Sequence, residues 1–168
     1  MKILNILKAI TTYVYIMSVI AFPIATIISV IFMFNSEIYN LPVIISGNLT
    51  EYSKIWSKIA ILISLANFGL FVYALFHFKK LLANFKEKLI FETETCQLFY
   101  KIAKTIILYA LLLFIIGFIP KTTQTASISV TFGFSPSLFI AALGLFFAVL
   151  AEVFKMGKEL KEENDLMI

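Results

Sequence analysis

Residues 59–80 read IAILISLANFGLFVYALFHFKK. From Ile59 to Phe78 there is no Asp, Glu, Lys or Arg, and Lys79 and Lys80 follow at once. A helix rises 1.5 Å per residue, so about 20 apolar residues cross the roughly 30 Å hydrocarbon core of a bilayer. Apolar residues occupy every face of this helix rather than one stripe, which suits lipid on all sides. The segment is a membrane span with bounds of about 56–78.

The same reading extends outward to three more spans, at about 12–34, 104–120 and 136–155. The first exceeds the 7–15 residues of a signal-peptide core and has no small-residue cleavage site after it, so it is expected to be retained. It carries Pro23, which membrane helices tolerate. The third span is short, and its helix is expected to begin earlier, with Lys101 and Lys104 reaching back to the headgroups. Pro136 suits the first turn of the fourth, with Ser135 as its N-cap.

Composition agrees. Of 168 residues, 61% are apolar types and 14% are charged, against about 45–50% and about 25% in soluble domains. The mean hydropathy is +0.97. Four spans leave no room for a separate catalytic domain of about 100 residues. The 14 basic residues are all lysine; without arginine, direct nucleic-acid reading is not expected. One cysteine, Cys96, and one histidine, His77, exclude an intramolecular disulfide and a Cys-based metal site and argue against zinc or haem. There is no Walker loop, dinucleotide glycine pattern, HExxH or nucleophile elbow, and no cofactor is expected.

Lysines near the span ends set the orientation. Lys2, Lys8, Lys79, Lys80, Lys86, Lys88, Lys101, Lys104, Lys155, Lys158 and Lys161 fall on one side; Lys54, Lys58 and Lys121 fall on the other. The first side, holding both termini, is read as the cytoplasm, and the protein as a multi-pass component of a bacterial inner membrane. The lysine collar is expected to meet anionic headgroups, at about 1 kcal/mol per lysine near the surface. In the second outer loop, Ser127 to Phe132 alternates polar and apolar residues with a strand's period, and a short β-pairing with Leu41–Ile45 of the first loop is expected. Asn48-Leu49-Thr50 matches a glycosylation sequon, read as a chance match.

The inner loop is more than a linker. Leu81, Leu82 and Phe85 keep helical spacing beyond the second span. Leu89-Ile90-Phe91 interrupts, Thr93 and Glu94 resemble a helix start, and Leu98, Phe99 and Ile102 resume the stripe. The second and third helices are therefore expected to run past the membrane into a cytoplasmic hairpin.

Four polar positions stand out as structural or functional candidates. Glu152, one turn before Lys155, shares its helix with Ala141, Gly144, Ala148 and Ala151, small residues that admit a neighbouring helix. Lying four residues after Ala148, it is expected to point inward, as an ion-pair partner of Lys104, Lys101 or His77, or as a functional intramembrane carboxylate. Asn67 sits mid-span with Ser64 one turn before; it reads as an interhelical hydrogen bond or as a ligand contact. His77 reads as an interfacial side chain or a pH sensor. Lys104 completes the group. Cys96 is a palmitoylation candidate or an inert thiol. Tyr13, Tyr15, Trp56, Tyr73 and Tyr109 read as belt residues.

Ala151-Glu152-Val153-Phe154, then Gly157, Leu160 and Glu163-Asn164-Asp165-Leu166, resemble the C-terminal signature of a bacterial family of four-helix membrane proteins, the domain-of-unknown-function family numbered 2975. Phe91, Glu94, Leu98 and Ile102 are similar to that family's middle motif. Family tails close with a penultimate Thr, where this chain has Met167. The resemblance implies a four-span bacterial membrane protein without an assigned activity. It also implies a regulatory pair, since members are often encoded beside a small helix-turn-helix regulator.

These readings converge on an all-α, four-helix transmembrane bundle forming one domain. The expected role is that of a non-enzymatic regulatory or signalling component whose cytoplasmic hairpin and mixed-charge tail bind a soluble regulatory protein. The alternative is a small transporter or channel-like homo-oligomer with Asn67 and Glu152 on a polar path. A membrane-embedded enzyme ranks last.

Overall fold

The computed structural model describes residues 2–34, 43–45, 48–50, 54–125 and 136–166. Four helices dominate: α1 (Lys2–Phe34), α2 (Lys54–Lys86), α3 (Thr93–Thr125) and α4 (Pro136–Asp165). Each is long and apolar enough to cross a membrane, the architecture of a multi-pass membrane protein. Helices of 33, 33, 33 and 30 residues reach about 45–50 Å, well beyond a hydrocarbon core of about 30 Å. The excess explains why the helices overrun the spans read from hydropathy.

Pro23 lies inside α1 without ending it. Its ring removes one donor from the helical ladder. Nearby hydroxyls turn back onto the backbone: Thr26 donates to the Pro23 carbonyl at 2.6 Å, Ser18 to that of Val14 at 2.8 Å, and Ser29 to that of Ala25 at 2.7 Å.

Two short strands, β1 (Val43–Ile45) and β2 (Asn48–Thr50), pair antiparallel between α1 and α2, with Val43 opposite Thr50 and Ile45 opposite Asn48. β1 thus pairs within its own loop. The expected partner, Ser127 to Phe132, lies outside the described residues.

The principal helix interfaces join neighbours in sequence, α1 on α2, α2 on α3 and α3 on α4. α1 therefore sits at one edge of the four-helix assembly. The α3–α4 interface is the closest. A Cβ on Gly144 would fall 2.7 Å from the Ile107 side chain and 3.2 Å from its backbone nitrogen, so the helices approach over a hydrogen atom there. Ala151 of α4 is fully buried, as the small-residue stripe leads one to expect.

The core lies toward the α2–α3 turn. Leu81, Leu98, Phe99, Ile102 and Ala151 form it, with Phe78, Phe85, Ile106, Phe147, Leu150 and Phe154 packed around. Here α2 and α4 meet through long aromatic side chains. Phe99 stacks on Phe154 at 4.8 Å and 16°, and Phe85 reaches Phe154 at 5.9 Å.

Candidate functional site

The α2–α3 turn closes through backbone geometry. Leu89 N donates to Asn84 O at 2.9 Å and Lys88 N to Phe85 O at 3.3 Å, with Lys88 at φ 62°. These two bonds around a left-handed residue form the Schellman motif, which here uses lysine where glycine is usual. Thr95, fully buried on α3, ties the turn down. Its hydroxyl donates to Leu89 O at 2.6 Å and accepts from Asn84 Nδ2 at 3.2 Å. Sequence reading passed over both Thr95 and Asn84, because the signal is a contact across the turn, not a spacing along it. α3 starts at Thr93 with Glu94 in its first turn, as the sequence leads one to expect. Cys96 N bonds Glu92 O at 3.2 Å, so Glu92 occupies the cap position, and the Thr93 hydroxyl accepts from Lys158 Nζ at 2.8 Å.

The end of α4 clips onto this turn. Phe91 lies over Gly157, where a Cβ would come within 2.6 Å of the ring, and its ring stands 6.0 Å from that of Phe154. Lys158 reaches Thr93, and Lys161 pairs with Glu92 at 3.6 Å. Turn and tail thus form one three-helix head. On its outer surface Val153, Met156 and Leu160 of α4 stay exposed, as do Leu89 and Phe91 of the turn. Cys96 is buried within the head, which removes it as a palmitoylation site and leaves an inert thiol.

Glu152 departs from expectation. It is exposed, and its Oε1 accepts a hydrogen bond from the exposed Tyr100 hydroxyl. The packed face of α4 centres on Ala151, and the next residue is turned about 100° away from it. Glu152 forms no ion pair with Lys104, Lys101 or His77 among the described residues. Lys104 is exposed on α3.

His77 is buried among side chains. Its ring meets Tyr73 edge-on at 4.3 Å and Phe76 at 5.4 Å, and neither nitrogen has a hydrogen-bond partner. Close by, Lys79 Nζ stands 5.2 Å over the Tyr15 ring and Lys80 Nζ 4.9 Å over Phe76. The Lys79–Tyr15 contact joins α2 to α1, while Lys80–Phe76 lies within α2.

Asn67 is 4% exposed, and neither its Oδ1 nor its Nδ2 has a partner. It lines a groove of about 370 Å³ between α2 and α3, with Ser64, Phe68 and Phe71 on one wall and Tyr109, Leu113 and Ile116 on the other. On α3, Tyr109 marks this groove and Tyr100 marks Glu152, nine residues or about 14 Å apart. Buried Ile102 and Ala103 lie between them. The structure therefore does not bring Asn67 and Glu152 together. Among the described residues no three His, Cys, Asp or Glu side chains gather to hold a metal ion.

No curated protein and no solved structure matches this chain. Residues 35–168, all of the chain after α1, match the model of the family described as "Protein of unknown function (DUF2975)", and the protein belongs to that family.

Proposed function

We propose that the protein is a non-enzymatic membrane regulatory component that works through the three-helix head. One observation carries this reading: the buried core gathers at one end of α2, α3 and α4, toward the α2–α3 turn. Helices that only crossed a membrane would need no such core, because lipid covers their sides. A packed head on the lysine-rich side presents a fixed surface to the aqueous phase.

The proposed orientation puts the head and both termini in the cytoplasm, by the excess of lysine on that side. The partner surface combines exposed Val153, Met156 and Leu160 with the charges of Lys155, Glu159 and Glu163. An apolar strip flanked by both signs of charge suits a soluble protein better than a lipid surface, which would select lysine alone. The transporter reading needs a polar path from Asn67 to Glu152, and buried apolar residues occupy the interval.

The test places a photocrosslinking residue at Met156 or Leu160 of the full chain in its native membrane. A soluble protein captured from both positions, and not from Leu145 on the lipid-facing part of α4, is the expected result. Capture of lipid or of further copies alone overturns the reading.

A further inference from the structure

We propose that the groove between α2 and α3 binds a lipid-dissolved neutral molecule carrying a hydroxyl, and that Asn67 holds that hydroxyl. A carboxamide offers one acceptor and two donor hydrogens. Burying it with none of them satisfied costs free energy unless something supplies the missing partners. At Asn67 both amide atoms are buried and unpartnered, and the residue lines a groove of about 370 Å³, within the range typical of small-molecule sites.

The surroundings define the occupant. Asn67 lies nine residues from Lys58 and twelve from Lys79, roughly 14 Å and 18 Å along the helix, so it is near the middle of the bilayer. Among the described residues no charged side chain lines the groove. A phospholipid headgroup, an ion or a carboxylate would have no counter-charge there and would lose its hydration. The walls are Phe68, Phe71, Leu113 and Ile116, which suit a chain or a ring of hydrocarbon. A hydroxyl is the smallest group that both donates to Oδ1 and accepts from Nδ2. Tyr109 lines the opposite wall, and a phenol can donate or accept a second hydrogen bond. The ligand class is thus a long-chain or polycyclic alcohol soluble in the bilayer interior. The inference is independent of what the head binds.

Full-length protein in nanodiscs is exposed to a diazirine-bearing hexadecanol and to the matched probe with a methyl group in place of the hydroxyl. The alcohol is expected to label residues 64–71 and 109–116 saturably, about tenfold more than the alkane. Asn67→Leu is expected to abolish that preference and to raise the melting temperature of the unliganded protein, since a near-isosteric apolar side chain relieves the unsatisfied amide. Leu113→Trp, which fills the groove and leaves Asn67 in place, is expected to lower labelling by both probes. Equal labelling by alcohol and alkane, absence of saturation, or a lowered melting temperature in Asn67→Leu overturns the proposal. The last result would make Asn67 a structural amide. If Asn67→Leu fails to fold, the wild-type probe comparison and Leu113→Trp still decide.

Discussion

Gly157 holds a Phe91 ring in the space where any other residue would carry a side chain. Replacing it sets two effects against each other. Alanine gains about 1 kcal/mol of helix propensity over glycine, while overpacking costs typically about 1–3 kcal/mol. Phe91 is 42% exposed, so its ring can swing outward, and the cost falls at the low end for a single methyl. Gly157→Ala is therefore expected to leave the melting temperature nearly unchanged. Gly157→Val gains less propensity and adds two more methyls, so it is expected to lower stability by about 1–2 kcal/mol. Thermal unfolding of the two variants side by side checks the sign. Thr95 makes a different residue-scale case. Thr95→Val keeps the shape and removes the hydroxyl, leaving Leu89 O and Asn84 Nδ2 unpaired; the expected loss is about 1–3 kcal/mol. Thr95→Ser keeps the hydroxyl and is expected to lose about half as much. Equal losses in both variants would assign the site to packing alone.

At the scale of the element, α3 and α4 form the frame on which the head stands. Gly144 lets them close, and there the neighbouring atom is a backbone nitrogen as well as a side chain. Backbone cannot rotate aside, so Gly144→Ala is expected to push the helices apart and destabilise by about 1–3 kcal/mol despite its better helix propensity. This is the opposite of the near-neutral outcome at Gly157, and melting temperatures of the two alanine variants separate the cases. The same elements show what a sequence reveals. The four spans, the hairpin and the small-residue face of α4 are legible, because hydropathy and spacing are properties of one helix at a time. The direction of Glu152 was misread by one step of helical phase. The packed face centres on Ala151, and a residue sharing a face with Ala148 can still stand well off that centre. Thr95, Asn84 and the Phe91–Gly157 contact were not legible at all, since each depends on where two elements meet. Asn67 was visible as a polar residue in an apolar run. That it lacks a partner and lines a groove is a property of α2 and α3 together.

At the scale of the molecule, α1 stands apart from the other three helices. It packs mainly on α2, contributes no residue to the core cluster, and precedes the region matched by the family. Its outer face, from Ile3 through Ile10, Ile20 and Ile27 to Phe34, is exposed along its length, as a lipid-facing edge would be. Head stability should therefore not depend on α1, and neither should the proposed orientation. Without α1 the lysine-rich side loses Lys2 and Lys8 but keeps Lys79, Lys80, Lys86, Lys88, Lys101, Lys104, Lys155, Lys158 and Lys161, against Lys54, Lys58 and Lys121 opposite. Nine lysines against three still direct insertion the same way. A chain of residues 35–168 carrying Cys96→Ser and Glu163→Cys is expected to keep its tail inside. A membrane-impermeant maleimide added to intact cells should leave Cys at 163 unlabelled, with or without α1, and should label it after lysis. Labelling of the shortened chain in intact cells would mean that α1 sets the topology and that the remaining lysines do not. The two chains should also show the same tail clip, read as equal protection of the Lys158 and Lys161 region from protease after lysis. A shortened chain with the correct topology and a loosened tail would show that α1 supports the head through α2, by way of the Tyr15–Phe76 and Lys79–Tyr15 contacts.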